Sequence, residues 1–222
     1  MCGRFALSVK TKDIEKLKPG FTITEELNPR YNIAPTQSVA VALNDGSGSL
    51  TLARWGLIPS WAKDDAIGNK MINARAETIM EKPSFAKCFR NRRCLIFADA
   101  FYEWKKMPDD KKKIPYLIKM KNSEPFTFAG LWDRWVDGNG EVVISATIIT
   151  TEPNGLMKDI HNRMPVIIPE EERSRWLSAE SAGPELLELL KPYPEDAMTA
   201  YEVSTMVNNP SADFPSCIDP IG

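Results

Sequence analysis

Between Ser38 and Leu43 the chain reads SVAVAL, and between Leu50 and Trp55 it reads LTLARW. Both segments run or alternate apolar as a strand does, and NDGSGS between them supplies the turn residues of a hairpin. Further on, CLIFA, FYEWK, PYLIKM, FTFAGLWDRW and VVISATIIT show the same strand-like runs, broken by MPDDKK and DGNG. Helical patterns are fewer. Thr11 to Lys18 predicts a short helix stopped by Pro19 and Gly20, and Pro83 and Ser84 open another through Phe85, Cys88 and Phe89. Thr151 is placed as an N-cap, with Pro153 in the first turn of a helix running toward Ile160. PEEERSRWLS and PELLELLKPY predict two late helices. Many neighbouring strands with few crossover helices predict an α+β fold. It is read as one domain over residues 1–222, with a curved, mostly antiparallel, barrel-like sheet and peripheral helices.

Composition narrows the chemistry. The chain has 222 residues, 43% hydrophobic and 26% charged, which is ordinary for a globular protein with a real core. It contains no apolar run of about eighteen residues, and Lys10, Lys12 and Asp13 interrupt any secretory signal, so a cytoplasmic location is expected. Four cysteines without a CxxC pair and a single histidine do not fit a zinc site; free thiols and no metal are expected. Phosphate loops and dinucleotide fingerprints are absent, so no cofactor is expected either. The net charge of −2 does not predict nucleic-acid binding, although a locally basic groove remains compatible with it. The lysine run from Lys111 to Lys113 reads as a solvated turn.

The candidate chemistry begins at Cys2. Once Met1 is removed, this residue carries an amine and a thiol on adjacent carbons. An aldehyde can condense with the amine to an imine, and the thiol can close onto the imine carbon to give a thiazolidine. The plain alternative is a small residue with no chemical role. His161 in DIHNRMPVI follows a predicted helix whose dipole would favour the imidazolium and make it a proton donor; it could equally be structural. In FADAFYEWKK, strand alternation sets Phe101, Glu103 and Lys105 on one face. Glu103 is then either buried with a raised pKa or in water on an edge strand. Asn73 of INARAET suits a sugar hydroxyl or carbonyl, Arg75 offers a fork for phosphate, and Arg4 lies two residues from Cys2. Trp61 of RWGLIPSWA either stacks on a base or belongs to the core.

Taken together, MCGRF, RYNIAPTQ, RWGLIPSWA, INARAET, FADAFYEWKK and DIHNRMPV resemble the SOS response-associated peptidase (SRAP) family of abasic-site processing proteins, from Cys2 to about Asn209. The resemblance implies a curved antiparallel sheet, a basic channel for single-stranded DNA, and a covalent cross-link between the N-terminal cysteine and the open sugar of an abasic site. By motif, Cys2 would be the nucleophile, and Asn73 would position the open sugar and the amine. Glu103 would be the general acid/base, and His161 would shuttle a proton. Arg4, Arg75 and Arg163 would contact phosphates; Asn32, Pro35 and Trp61 would meet bases; Thr150 would be a further DNA contact. IMEKPSF carries Lys82 where an arginine would fit the pattern better. Implied partners are single-stranded DNA containing abasic sites and replication-associated proteins, with nucleoid association on damaged DNA and no membrane. Three other readings use the same residues: a thiol peptidase built on Cys2 and His161 that also processes Met1, a non-catalytic nucleic-acid reader, and a weak lyase that cuts through the imine.

Overall fold

The computed structural model describes residues 2–10, 14, 22–23, 27–107, 112–181 and 184–221. The helix expected over residues 11–18 lies, apart from the buried Ile14, outside them. The strands are β1 (Phe5–Leu7), β2 (Thr22–Ile23), β3 (Arg30–Ile33), β4 (Ser38–Leu43), β5 (Ser49–Trp55), β6 (Asn73–Arg75) and β7 (Arg93–Ala98). They continue with β8 (Ala100–Lys106), β9 (Lys113–Met120), β10 (Phe126–Val136), β11 (Val142–Thr151), β12 (Met164–Pro165), β13 (Ile167–Ile168) and β14 (Met198–Glu202). Each strand expected from the apolar pattern is present, within a few residues of its expected ends.

Two sheets share the core. In one, β5, β4, β7, β10 and β11 are antiparallel neighbours in that order, and a parallel pairing of β11 with β5 closes the ring, Ser145 opposite Arg54 and Ala146 opposite Trp55. Five strands that alternate direction cannot close antiparallel throughout, so one parallel seam is a geometric necessity. The other sheet runs β14-β9-β8-β1-β3. Its β8 turns Phe101 toward the main core and Tyr102 toward a smaller cluster with Val203, Val207 and Cys217, so the C-terminal segment covers its second face. At the centre, Phe5 packs edge-on against Trp55 and Phe128, with ring centroids 5.1 and 5.6 Å apart. The α+β class with a barrel-like, mostly antiparallel sheet is therefore what the chain forms.

Helices are short. α1 (Pro83–Asn91) begins on Pro83 as expected and buries Phe85, Ala86, Cys88 and Phe89. The helix expected from Thr151 differs. Thr151 stays in β11, paired with Met164, and the N-cap is Asn154, whose Oδ1 accepts from the Met157 N–H at 2.9 Å. The resulting α2 (Gly155–Lys158) is a single turn. Sheet pairing overrode the local capping signal. PEEERSRWLS divides into a 3₁₀ turn (Glu170–Glu172) and α3 (Arg173–Leu177), and PELLELLKPY is 3₁₀ over Pro184–Leu189 rather than an α-helix.

Candidate active site

Cys2 enters the core directly before β1 and is fully buried. Its carbonyl oxygen accepts a 2.8 Å hydrogen bond from Asn73 Nδ2, which fixes the backbone of residue 2 against β6. Asn73 is itself positioned by the parallel pairing of β6 with β11, where it lies opposite Ile148. Its Oδ1 is buried and finds no hydrogen-bond partner among the described residues, leaving one acceptor available inside the site. Burial pushes the Cys2 thiol far above its ordinary pKa, and the nearby Glu103 carboxylate adds to the rise. The thiol, not the thiolate, is the resting form.

Glu103 sits in the middle of β8, almost fully buried. Desolvation pushes its carboxyl up to about 7, against the opposing charge of the amino terminus. The buried alternative for this residue is thus the one the fold adopts. His161 Nε2 lies 3.8 Å from Glu103 Oε2. The imidazole is held below its ordinary pKa, first by burial and then by the positive amino terminus. This corrects the expectation of an imidazolium favoured by a helix dipole: α2 is one turn long, and burial outweighs it. His161 Nδ1 meets the Arg163 backbone, 3.1 Å from its N–H and 3.2 Å from its carbonyl oxygen, which leaves Nε2 as the ring nitrogen facing Glu103. Glu103 near 7 and a neutral His161 form a pair able to hold or pass one proton close to neutral pH.

Cys2, Asn73, Glu103 and His161 are thereby brought together from four separate parts of the chain. The expected DNA contacts divide. Trp61 is 64% exposed, on a loop tied down by Ile58 N–H to Ser145 Oγ (2.8 Å), Ser60 N–H to Asp133 Oδ2 (2.9 Å) and Trp135 Nε1 to Ala62 O (2.8 Å). The same loop needs Gly56, whose φ is +126° and where a Cβ would stand 2.5 Å from the Gly68 carbonyl oxygen. Pro35 is half-buried in the turn after β3, and Arg75 is exposed. Arg163 is held by Glu77, Nη1 to Oε1 at 2.5 Å and Nη2 to Oε2 at 2.9 Å, while Nη2 also donates to the Thr150 carbonyl at 2.6 Å.

Arg4, Asn32 and Thr150 lie inside the fold. Arg4 Nη1 donates to Asn32 Oδ1 (2.8 Å) and the Val207 carbonyl (2.6 Å). Asn32 is fully buried, its Nδ2 donating to the carbonyls of Val207, Asn209 and Ala212. Thr150 is fully buried, with Oγ1 3.5 Å from the Ala74 carbonyl. Arg4 and Asn32 thus tie the start of the chain and β3 to the Val207–Ala212 segment, and Thr150 lies against β6, through partners that no local pattern in the sequence relates to them. Glu77 and Asp133 are supports that the sequence does not mark as such. Glu77 stands in INARAET beside Asn73 and Arg75, whereas Asp133 has no local signal at all.

The chain as a whole is similar to known proteins. The family model described as "SOS response associated peptidase (SRAP)" matches residues 1–210. A Bacillus subtilis protein called abasic site processing protein YoqW is 50% identical over 223 residues, covering 99% of each chain. A Rattus norvegicus protein, abasic site processing protein HMCES, is 34% identical over 231 residues, covering 86% of this chain and 65% of that one. Among solved structures, a protein from Bacteroides thetaiotaomicron superposes with a TM-score of 0.89 at 29% identity, covering 99% of this chain and 100% of that one.

Proposed function

This chain belongs to the SOS response-associated peptidase (SRAP) family, and from that membership we propose that it captures abasic sites in single-stranded DNA as a covalent thiazolidine on Cys2. The observation that carries the reading is the pinning of residue 2: Asn73 holds the Cys2 carbonyl, and the Glu103–His161 pair stands beside it. A residue with no chemical role needs no such clamp.

The chemistry follows from the protonation states. Removal of Met1 frees the Cys2 amine. Glu103, poised near 7, exchanges a proton with the oxygens at the anomeric carbon, opening the sugar to its aldehyde. The amine adds to the aldehyde carbon and water leaves, giving the imine. Because the thiol is held protonated, it acts second. Sulfur adds to the imine carbon and the thiol proton ends on nitrogen, closing the saturated ring with a net loss of one water. Closure removes the imine that would otherwise promote elimination and strand scission. Asn73 Oδ1, the unused acceptor, is suited to a sugar hydroxyl or to the amine. Pro35, Trp61, Arg75 and Arg163 would meet the strand, with Arg4, Asn32 and Thr150 supporting the track from within.

The peptidase reading draws less support. A thiol nucleophile is normally paired with a base that lowers its pKa. Here burial and Glu103 raise it, and the histidine faces Glu103.

The test uses protein lacking Met1, verified by intact mass, and a labelled single strand with one abasic site. A band that survives a denaturing gel, with the mass of protein plus DNA less one water, is expected. Protein retaining Met1 should give none. Absence of a bonded species from the mature protein would overturn the proposal.

A further inference from the structure

At the turn end of the β8–β9 hairpin two like charges face each other: in the antiparallel register Lys106 is directly opposite Lys113. Both are exposed, and neither has a carboxylate partner among the described residues. Like charges directly opposite on paired strands are destabilising, so the fold alone does not account for the pair. Lys105 lies alongside, its Nζ 5.8 Å from the Tyr116 ring centroid. Lys105, Lys106, Lys112 and Lys113 thus gather at this end of the hairpin, in a chain whose net charge is −2. Lys106 is three residues along β8 from Glu103, about 10 Å at strand rise and on the other face of the strand. The field of Lys113 reaches both Glu103 and His161, and that of Lys106 reaches His161.

We propose that Lys106 and Lys113 form a phosphate-binding arm for the single strand, holding its backbone at the turn end of the β8–β9 hairpin, where the strand approaches the Glu103–His161 pair. The arm rests on the DNA reading above and adds a contact pair outside the arginines that the family resemblance supplies. Two ammonium groups on adjacent strands leave their donors to solvent, and a phosphodiester that bridges them removes the repulsion between them. Trp61, on its separate anchored loop, would engage a base while the lysines engage backbone, so the two devices divide stacking from charge neutralisation.

The experiment measures binding of an unmodified oligo-thymidine by fluorescence anisotropy across a salt series, for the mature protein and its Lys106→Gln/Lys113→Gln variant. Expected is weaker binding and a salt slope shallower by about 0.7 for each lysine removed. The Lys106→Arg/Lys113→Arg variant should keep the parental slope. Lys113→Glu should weaken binding further while its thermal midpoint stays level or rises, because cross-strand repulsion becomes attraction. A Gln variant with the parental slope, from a parent that binds, overturns the arm alone. Loss of affinity that follows a lowered thermal midpoint also overturns it. A parent that binds no single strand overturns the DNA reading, and the arm falls with it.

Discussion

Glu103 is where a single residue reports most on its surroundings. Its carboxyl is ordinary at 4.5 in an unfolded chain and near 7 in the fold, so the native state holds a proton that the unfolded state releases. Stability from this group therefore falls as pH rises from 4.5 through 7 and stays lower above. Glu103→Gln removes that penalty. The variant should melt above the parent at pH 8, with the difference fading as pH approaches 4.5, as thermal unfolding across buffers would register. The same change should slow cross-linking about 100-fold and erase the rate inflection near pH 7, because an amide cannot exchange the proton. Faster or unchanged capture would remove Glu103 from the chemistry. Much of this was legible beforehand: the alternation of FYEWK puts Glu103 on the face of Phe101, which predicts either burial or an edge. The choice between the two required β1 and β9 on either side of β8. His161 was legible as a titrating group but not in its direction, since its burial depends on what the rest of the chain lays over it.

Loops carry the strain and the aromatic contact. Thr36 has φ +75°, in the left-handed region, which a β-branched residue rarely adopts. It is held there by its N–H to the Trp55 carbonyl (2.8 Å) and by Gln37 N–H to the Ala34 carbonyl (3.2 Å), closing the turn that presents Pro35. Thr36→Gly should stabilise the fold by about 0.5–1 kcal/mol, the relieved strain less the entropy of glycine, measured by chemical denaturation. A loss of stability would mean that the hydroxyl or methyl contributes more than the backbone costs. Asp133 on β10 anchors the Trp61 loop: it accepts from Ser60 N–H, from Arg134 N–H at 2.7 Å, and forms an ion pair with Arg92. Asp133→Asn should cost about 3 kcal/mol, because it turns a donor toward donors in a buried setting. Amide exchange at Ser60 should quicken with it. Slow exchange at Ser60 in the variant would show that Ser145 and Trp135 alone hold the loop. The hairpin and strand motifs around these loops were readable from composition. The anchoring was not, because Ser60 and Asp133 are 73 residues apart.

Across the whole molecule, Arg93 ties the helical edge to the barrel. It is fully buried and has no acidic partner among the described residues. Nε donates to the Trp176 carbonyl, Nη1 to Phe89 and Arg90, and Nη2 to Ser178 and Ser181. One guanidinium thus satisfies carbonyls at the ends of α1 and α3 at once. Arg93→Met would leave five acceptors without their donor and should cost about 3–5 kcal/mol, seen as a lowered denaturant midpoint. A variant as stable as the parent would show that water replaces the guanidinium there. Alternation and β-branching are local properties, and they sufficed for the seven longest strands, β4, β5 and β7–β11, while the shorter β1–β3, β6 and β12–β14 depend on pairing with them. The single histidine of the sequence, likewise, must serve any imidazole chemistry. Tertiary structure alone decided the parallel β5–β11 seam, the single turn after β11, the neutral state favoured at His161 and the internal use of Arg4 and Asn32. Each of those depends on register and burial between residues far apart in the chain, and desolvation and ladder pairing outweigh the local preferences a sequence displays.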